Sequence, residues 1–315
     1  MSGSAQVPAA VPSPVPSAAA TRDAAPSGAS HTGLAITFDD LPVHSALPPG
    51  ETRMDVARQL LKAIKDAHLP PIYGMVNGVW TERQPETIEV LRAWRAAGEP
   101  LGSHTWTHMP LNSHSAEEWE ADALKNEPLL EQLTKAAPVQ TATWHYLRYP
   151  NLQEGDTAEK RLAVRAWLKE HGYTVAEVTS SFGDYNWNEP YARCMTKGDQ
   201  AGVQRLHDTY LAAAHQNMAA YVAENRAVFG HDVPQVLLMH IGAFDARMFP
   251  ELVRQMRADG FRFVSLEEAQ KDPAYATPLS EMTGRGTLGD MVAPSRGVPL
   301  TKRDDYTKEL AAMCR

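Results

Sequence analysis

The chain has 315 residues, 43% of them hydrophobic and 22% charged, with a formal net charge of -8. A chain of this size and balance can bury a sizeable core. Its acidity excludes a protein built to track phosphate backbones, which needs a basic face, so no nucleic-acid partner is expected. No stretch reaches the roughly 20 apolar residues of a transmembrane segment.

Residues 1–32 are dominated by Ala, Pro and Ser, and Arg22 and Asp23 are their only acidic or basic side chains apart from His31. So little apolar area cannot offset the entropy of ordering, and the expectation is a disordered segment. It lacks the basic start and apolar stretch of an export signal. A tether of this kind is compatible with an exported protein, periplasmic or extracellular, and that location is expected over the cytoplasm. Cys194 and Cys314 match no zinc-ribbon or redox spacing. They are either two separate thiols or one disulfide holding the tail, and a disulfide needs an oxidising compartment.

From Gly33 short apolar runs alternate with helical patterns. Residues 33–38 read as a strand. Val56, Leu60 and Ile64 then recur at helical spacing. Residues 72–76 form the next strand, and Pro85 and Gly98 frame a helix. A short strand precedes Gly102. Ser115 and Glu118 give a capping-box pattern that opens a helix to about Lys135. Residues 143–147 are a strand, Asp156 and Glu159 a second capping-box pattern, and 173–178 a further strand. Residues 188–228 are mostly helical and longer than a crossover requires, so part is an insertion. Residues 235–239 are apolar throughout, as in a strand buried on both faces. A helix over 247–259 and a strand over 261–264 complete the series. Repeated strand–helix units imply parallel strands. The fold class expected is α/β, a distorted (β/α) barrel of about seven parallel strands. An open doubly wound sheet is the alternative, though no glycine-rich loop follows the first strand. Residues 33–270 form the expected catalytic barrel and 271–315 a C-terminal extension packed on it.

Three features point to chemistry. Asp39 and Asp40 end the first strand, at the carboxyl edge where barrels place active sites; adjacent acids also serve as turns or caps. His104 and His108, on a His-x3-His spacing after the third strand, suit a shared ion if they lie on one side of a helical turn. With twelve histidines in the chain, such a pair also arises by chance. Thr105 stands where a metalloprotease would need glutamate. His240 ends a late buried strand, which in a barrel returns beside the first.

Read together, these segments resemble the polysaccharide deacetylases, carbohydrate esterase family 4. The resemblance runs from about Leu34 to Glu268. It rests on Thr37-Phe38-Asp39-Asp40-Leu41-Pro42, on His104-Thr105 through His108, on Arg148-Tyr149-Pro150 and on Leu238-Met239-His240, in that order. A remaining segment aligns Asp184-Tyr185 with the family's Asp-Trp, or Asn186-Trp187 if asparagine replaces the acid. Asp184 is preferred, because a neutral side chain could not raise the histidine's pKa. The resemblance implies a divalent metal on Asp40, His104 and His108, zinc first, with cobalt or nickel able to use the same ligands. It implies Asp39 as general base held by Arg148, His240 as the acid, and an oxyanion contact from the backbone near Pro150 and Asn151. Leu238 would line the acetyl pocket, with Tyr185 and Trp187 beside the sugar. Leu41 replaces the family's glycine, and Asn151-Leu152 its aromatic-glycine pair. Trp80, Trp106 and Trp144 could stack on sugars but are more often core. His44 could line the cleft or cap a loop, and Asp245 could support the acid or start a helix. His114 and His145 read as structural or surface residues.

The implied activity is removal of acetyl groups, N-linked in the first instance, from an amino sugar or its polymer. The same chemistry on O-acetyl esters or small amides is a second reading, and a catalytically silent carbohydrate-binding module a third. The segments beyond the minimal domain are expected to wall the cleft toward small substrates.

Overall fold

The computed structural model describes residues 1–3, 32–136 and 143–315. The expectation for residues 1–32 lies almost wholly outside them.

Seven strands form one parallel sheet. They are β1 (Thr32–Leu41), β2 (Tyr73–Val76), β3 (Leu101–Ser103), β4 (Tyr146–Leu147), β5 (Thr174–Val175), β6 (Gln235–His240) and β7 (Phe261–Phe263). The order is β5-β4-β3-β2-β1-β6, and β7 pairs with the first residues of β1. The sheet curls far enough that Ser180, past β5, bridges Leu237 in β6. This is the distorted α/β barrel expected.

Alternation along β1 explains both its burial and its chemistry, because successive side chains of a strand face opposite sides. Leu34, Ile36 and Phe38 pack outward against the helices Arg53–Asp66, Ile88–Ala96 and Ala243–Ala258. Phe38 meets Trp94 and Phe249 edge-on, at 5.9 and 5.4 Å between ring centres. Truncating such a fully buried ring costs about 3–5 kcal/mol. Ala35, Thr37 and Asp39 face the interior, where Ala35 packs with Tyr73, Met75 and Val236.

Two helical expectations are corrected. The helix foreseen from Ser115 to Lys135 is two helices, Ala116–Leu124 and Glu127–Lys135. Pro128 lies in the first turn of the second, where its missing N–H is tolerated; one continuous helix would set its ring against the carbonyl of Leu124. At the next helix Thr157, not Asp156, is the cap, accepting from the N–H of Lys160. The long helical stretch resolves into Asn188–Lys197 and Gln200–Phe229. Cys194 and Cys314 are joined by a disulfide, closing the alternative left open by sequence. Leu41 does not crowd the loop beside the acids. It is fully buried, and its Cδ2 lies 2.4 Å from where a Cβ on Gly74 would stand, so Gly74 makes its room.

Candidate active site

Asp39 and His240 are register partners across the β1–β6 pair, and Asp40 follows directly at φ 64°. The turn into the left-handed region swings Asp40 away from the strand's alternation, so both acids reach one cavity. That cavity, of about 460 Å³, is lined by Asp39, Asp40, His104, His108, His240 and Leu238, among others. Backbone strain gathers here. Of eight non-glycine residues with positive φ among the described residues, Asp40, Thr105, His108, Asn151 and Leu152 belong to the site or its loops. Such conformations cost roughly 1–3 kcal/mol each and persist only where the surroundings enforce them.

His104 and His108 do not sit on a helical turn, as their spacing suggested. They lie in a loop after β3, with Thr105 and His108 both left-handed. Asn77 fastens this loop, its side-chain amide donating to the carbonyls of His104 and Thr105 at 2.6 and 3.1 Å. Thr105 Oγ1 accepts from the N–H of Met109 at 3.0 Å.

Arg148 organises two functions at once. Its carbonyl accepts from Nδ1 of His104 at 2.8 Å, which leaves the Nε2 lone pair facing the cavity. Its guanidinium spans both oxygens of Asp39 at 3.2 and 3.3 Å and donates to Thr37 Oγ1 at 3.0 Å. Arg148 and Asp39 are both buried, so each depends on the other for charge compensation.

Nε2 of His104 and Nε2 of His108 each stand 3.6 Å from Oδ1 of Asp40. That is too long for a hydrogen bond. It matches ligands around one ion: arms of about 2.1 Å in a tetrahedron separate neighbouring donors by roughly 3.4 Å. One donor atom from each of Asp40, His104 and His108 lies within 4.8 Å of the others. The protonation states agree. Burial and repulsion from His104 push the His108 imidazole down to about 4, against the pull of Asp40 and Asp39. Burial raises the Asp40 carboxyl, but the hydrogen bond with His44 and the charges of His240 and His104 outweigh it and hold the group well below the usual carboxylate range. A neutral imidazole and an ionised carboxylate are what a divalent cation of the zinc type requires. The residues fit a metal.

Asp184 supports His240. One oxygen takes the backbone N–H of His240 at 2.6 Å, and Nδ1 lies 3.1 Å from the other. Burial works against a charged imidazole, yet the charge and hydrogen bond of Asp184 win and push His240 up to about 10. Asp245 does not touch His240. It lies buried behind Asp184, accepting from Asn188 at 2.7 Å and Tyr210 at 2.9 Å, and burial with the nearby Asp184 charge raises its carboxyl well above the usual range.

Asn151, Leu238 and Tyr185 line the cavity, with Asn151 at φ 56°. Pro150 is buried in the 3-10 turn Pro150–Leu152 and does not reach the cavity lining. Trp187 is a correction: it is 1% exposed, packed on Phe182, Tyr210 and Tyr306, with Nε1 donating to Thr209. The turn Asp184–Trp187 aims Tyr185 outward and Trp187 into the core. Trp80, Trp106 and Trp144 also stay off the cavity.

The segments beyond the minimal domain do wall the cavity, through residues that sequence reasoning did not name. Arg285, Gly286, Thr287 and Asp290 of the C-terminal extension line it, with Ser181 and with Tyr221 of the long helix. The Thr287–Asp290 capping box was the only local signal for order there. His44 is resolved as a site residue, its Nδ1 2.9 Å from Oδ2 of Asp40.

The curled parallel sheet thus carries an acid-histidine cluster and two supported titratable groups at its carboxyl edge, where folds of this class place their sites. The family model for polysaccharide deacetylase matches residues 28–176. The matched segment contains Asp39, Asp40, His104, His108 and Arg148.

Among solved structures, the chitin deacetylase of the fungus Colletotrichum lindemuthianum is 22% identical with a TM-score of 0.51, over 76% of this chain and 88% of that one. A carbohydrate esterase family 4 pseudoenzyme from Bacillus anthracis is 13% identical at 0.51, over 76% and 66%. A mutant of that pseudoenzyme with restored activity is 14% identical at 0.52, over 76% and 68%. At these identities the likeness establishes the fold, and the fold serves active and inactive proteins alike. No curated protein matches the chain in sequence.

Proposed function

We propose that this protein is a metal-dependent deacetylase that hydrolyses the N-acetyl group of an amino sugar or a short oligomer of one. The observation carrying the reading is the placement of Asp39, fixed by Arg148, and His240, fixed by Asp184, around the Asp40–His104–His108 cluster. A divalent ion held there, zinc in our assignment, would polarise the acetyl carbonyl and acidify water. Asp39 takes the proton of the attacking water, and Arg148 holds it in position. The backbone N–H of Asn151 donates to the oxygen that gains charge. His240 gives its proton from Nε2 to the departing amine as the C–N bond breaks, and acetate is released. Leu238 receives the methyl group.

The wall formed by Arg285, Thr287 and Asp290 favours a short substrate or a chain end. A kcat/KM that climbs steadily with oligomer length would exclude that restriction. The Cys194–Cys314 disulfide supports a location outside the cytoplasm. Two freely alkylated thiols in protein taken from its native compartment would overturn that placement.

The reading is tested by acetate release from N-acetylglucosamine oligomers, before and after chelation, with zinc or cobalt restored, and with Asp40→Ala in parallel. Metal-rescued release that the variant lacks is expected. Metal binding without release would shift the assignment to O-acetyl esters or small amides, and absence of metal binding would end the assignment of Asp40, His104 and His108.

A further inference from the structure

The inference concerns the substrate of the same cavity and rests on the reading above. Arg285 lies on its wall, in the segment Gly284-Arg285-Gly286. The backbone of this segment is pinned to the loop that carries Asn151. The N–H of Glu154 donates to the carbonyl of Gly284 at 2.8 Å, and that of Gly286 to the carbonyl of Leu152 at 3.1 Å. Gly284 and Gly286 have φ of +85° and +111°, and a Cβ at Gly284 would stand 2.2 Å from the carbonyl oxygen of Gly155. Only glycines allow so close an approach. Arg285 is therefore held at a fixed place beside Asn151 and Leu152.

Its guanidinium has no partner among the described residues. The acids that could neutralise it are engaged elsewhere. Asp290 gives one oxygen to Arg303 at 2.7 Å and the other to the backbone and hydroxyl of Thr287 at 3.0 and 2.7 Å. Asp39 is bound by Arg148, and Asp40 faces His44, His104 and His108. Two nearby arginines do have carboxylate partners: Arg303 pairs with Glu224 and Asp290, and Arg165 with Glu154 and Glu177. A planar cation with five donors, rigidly based and exposed at the edge of a substrate cavity, matches an anionic group on the ligand.

We propose that Arg285 is a specificity-determining residue which binds a carboxylate or phosphate carried by the acetylated substrate. The preferred substrate is then an acidic acetamido sugar rather than a neutral one.

The test is binding to the full-length, metal-restored protein by calorimetry, with three probes: N-acetylglucosamine, its 6-phosphate, and the uronic acid with a carboxylate at the same carbon. Wild type is expected to hold at least one acidic probe roughly tenfold more tightly than the neutral one, and the stronger of the two identifies the anion. Arg285→Ala is expected to bring that ratio close to one, Arg285→Glu to invert it, and Arg285→Lys to retain part of it with the fold intact. Equal affinities for all three probes in wild type, or a ratio unchanged by Arg285→Ala, would overturn the proposal. Because affinity is read apart from acetate release, an Arg285-dependent preference unaccompanied by acetate release would count against the deacetylase reading alone.

Discussion

Asp39 and His240 face each other in register across the β1–β6 pair, one held by a buried guanidinium and the other by a buried carboxylate. Two neighbouring strands thus deliver a carboxylate and an imidazole to the same edge, the pair that the proposed reaction uses as base and acid.

The Asp184–His240 pair is expected to set the alkaline limit of the proposed activity. His240 is pushed up to about 10 from an ordinary 6.5, so the protonated acid persists to that pH. Asp184→Asn removes the charge that opposes burial, and the alkaline limb of kcat is expected to move down, to the ordinary imidazole range or below. A pH–rate profile that keeps its alkaline limb in the variant would remove His240 as the acid. The same shift bears on stability. A folded-state value above the unfolded one gives a contribution present in full below about pH 6.5 and lost as pH rises through about 10.

Arg148 carries a structural load as well as a chemical one. Arg148→Met leaves Asp39 buried without its counter-charge, and a loss of about 3–5 kcal/mol in unfolding free energy is expected. Urea denaturation measures it. A change below 1 kcal/mol would mean that the pair is not compensating buried charge.

His44 orients Asp40 through Oδ2, leaving Oδ1 toward His104 and His108. Partners of this kind typically contribute tenfold or more to metal affinity. His44→Ala is expected to weaken zinc binding by about that factor in competition with a chelator, and His108→Ala by considerably more. Equal affinities in wild type and His44→Ala would reduce His44 to a lining residue.

The chemistry-bearing strand ends were legible because a strand buried on both faces leaves an unmistakable apolar run, and a polar residue at its end stands out. That holds for Asp39, Asp40 and His240. His104 and His108 were found by spacing for the wrong reason, since their loop is left-handed rather than helical. Trp187 was misplaced because a 3-10 turn separates the fates of Tyr185 and Trp187 in a way no strand or helix period describes. The Arg285 wall depends on backbone contacts between residues 152–154 and 284–286, more than a hundred positions apart, and no local pattern encodes such a meeting. Pro128, by contrast, was a visible break inside the helix read from Ser115.

Leu41 and Gly74 should behave as a coupled pair. Gly74→Ala drives a Cβ to 2.4 Å from Leu41 Cδ2 and is expected to cost about 1–3 kcal/mol. In a Leu41→Ala background the same change should cost clearly less, and thermal melts of the four proteins give the coupling. Additive losses would show that Leu41 can move aside.

The disulfide has a topological reach beyond its own neighbourhood. Cys194 and Cys314 stand 120 positions apart in sequence and enclose β6 with His240 and the whole Arg285 wall. A protease that nicks any loop inside this ring yields two pieces that remain one covalent molecule, with His240 and the wall still tethered to the half that bears Asp40, His104 and His108. Such a nick would pass unseen on a non-reducing gel and appear only when a thiol is added, so the protein can be cut in a protease-rich setting without coming apart.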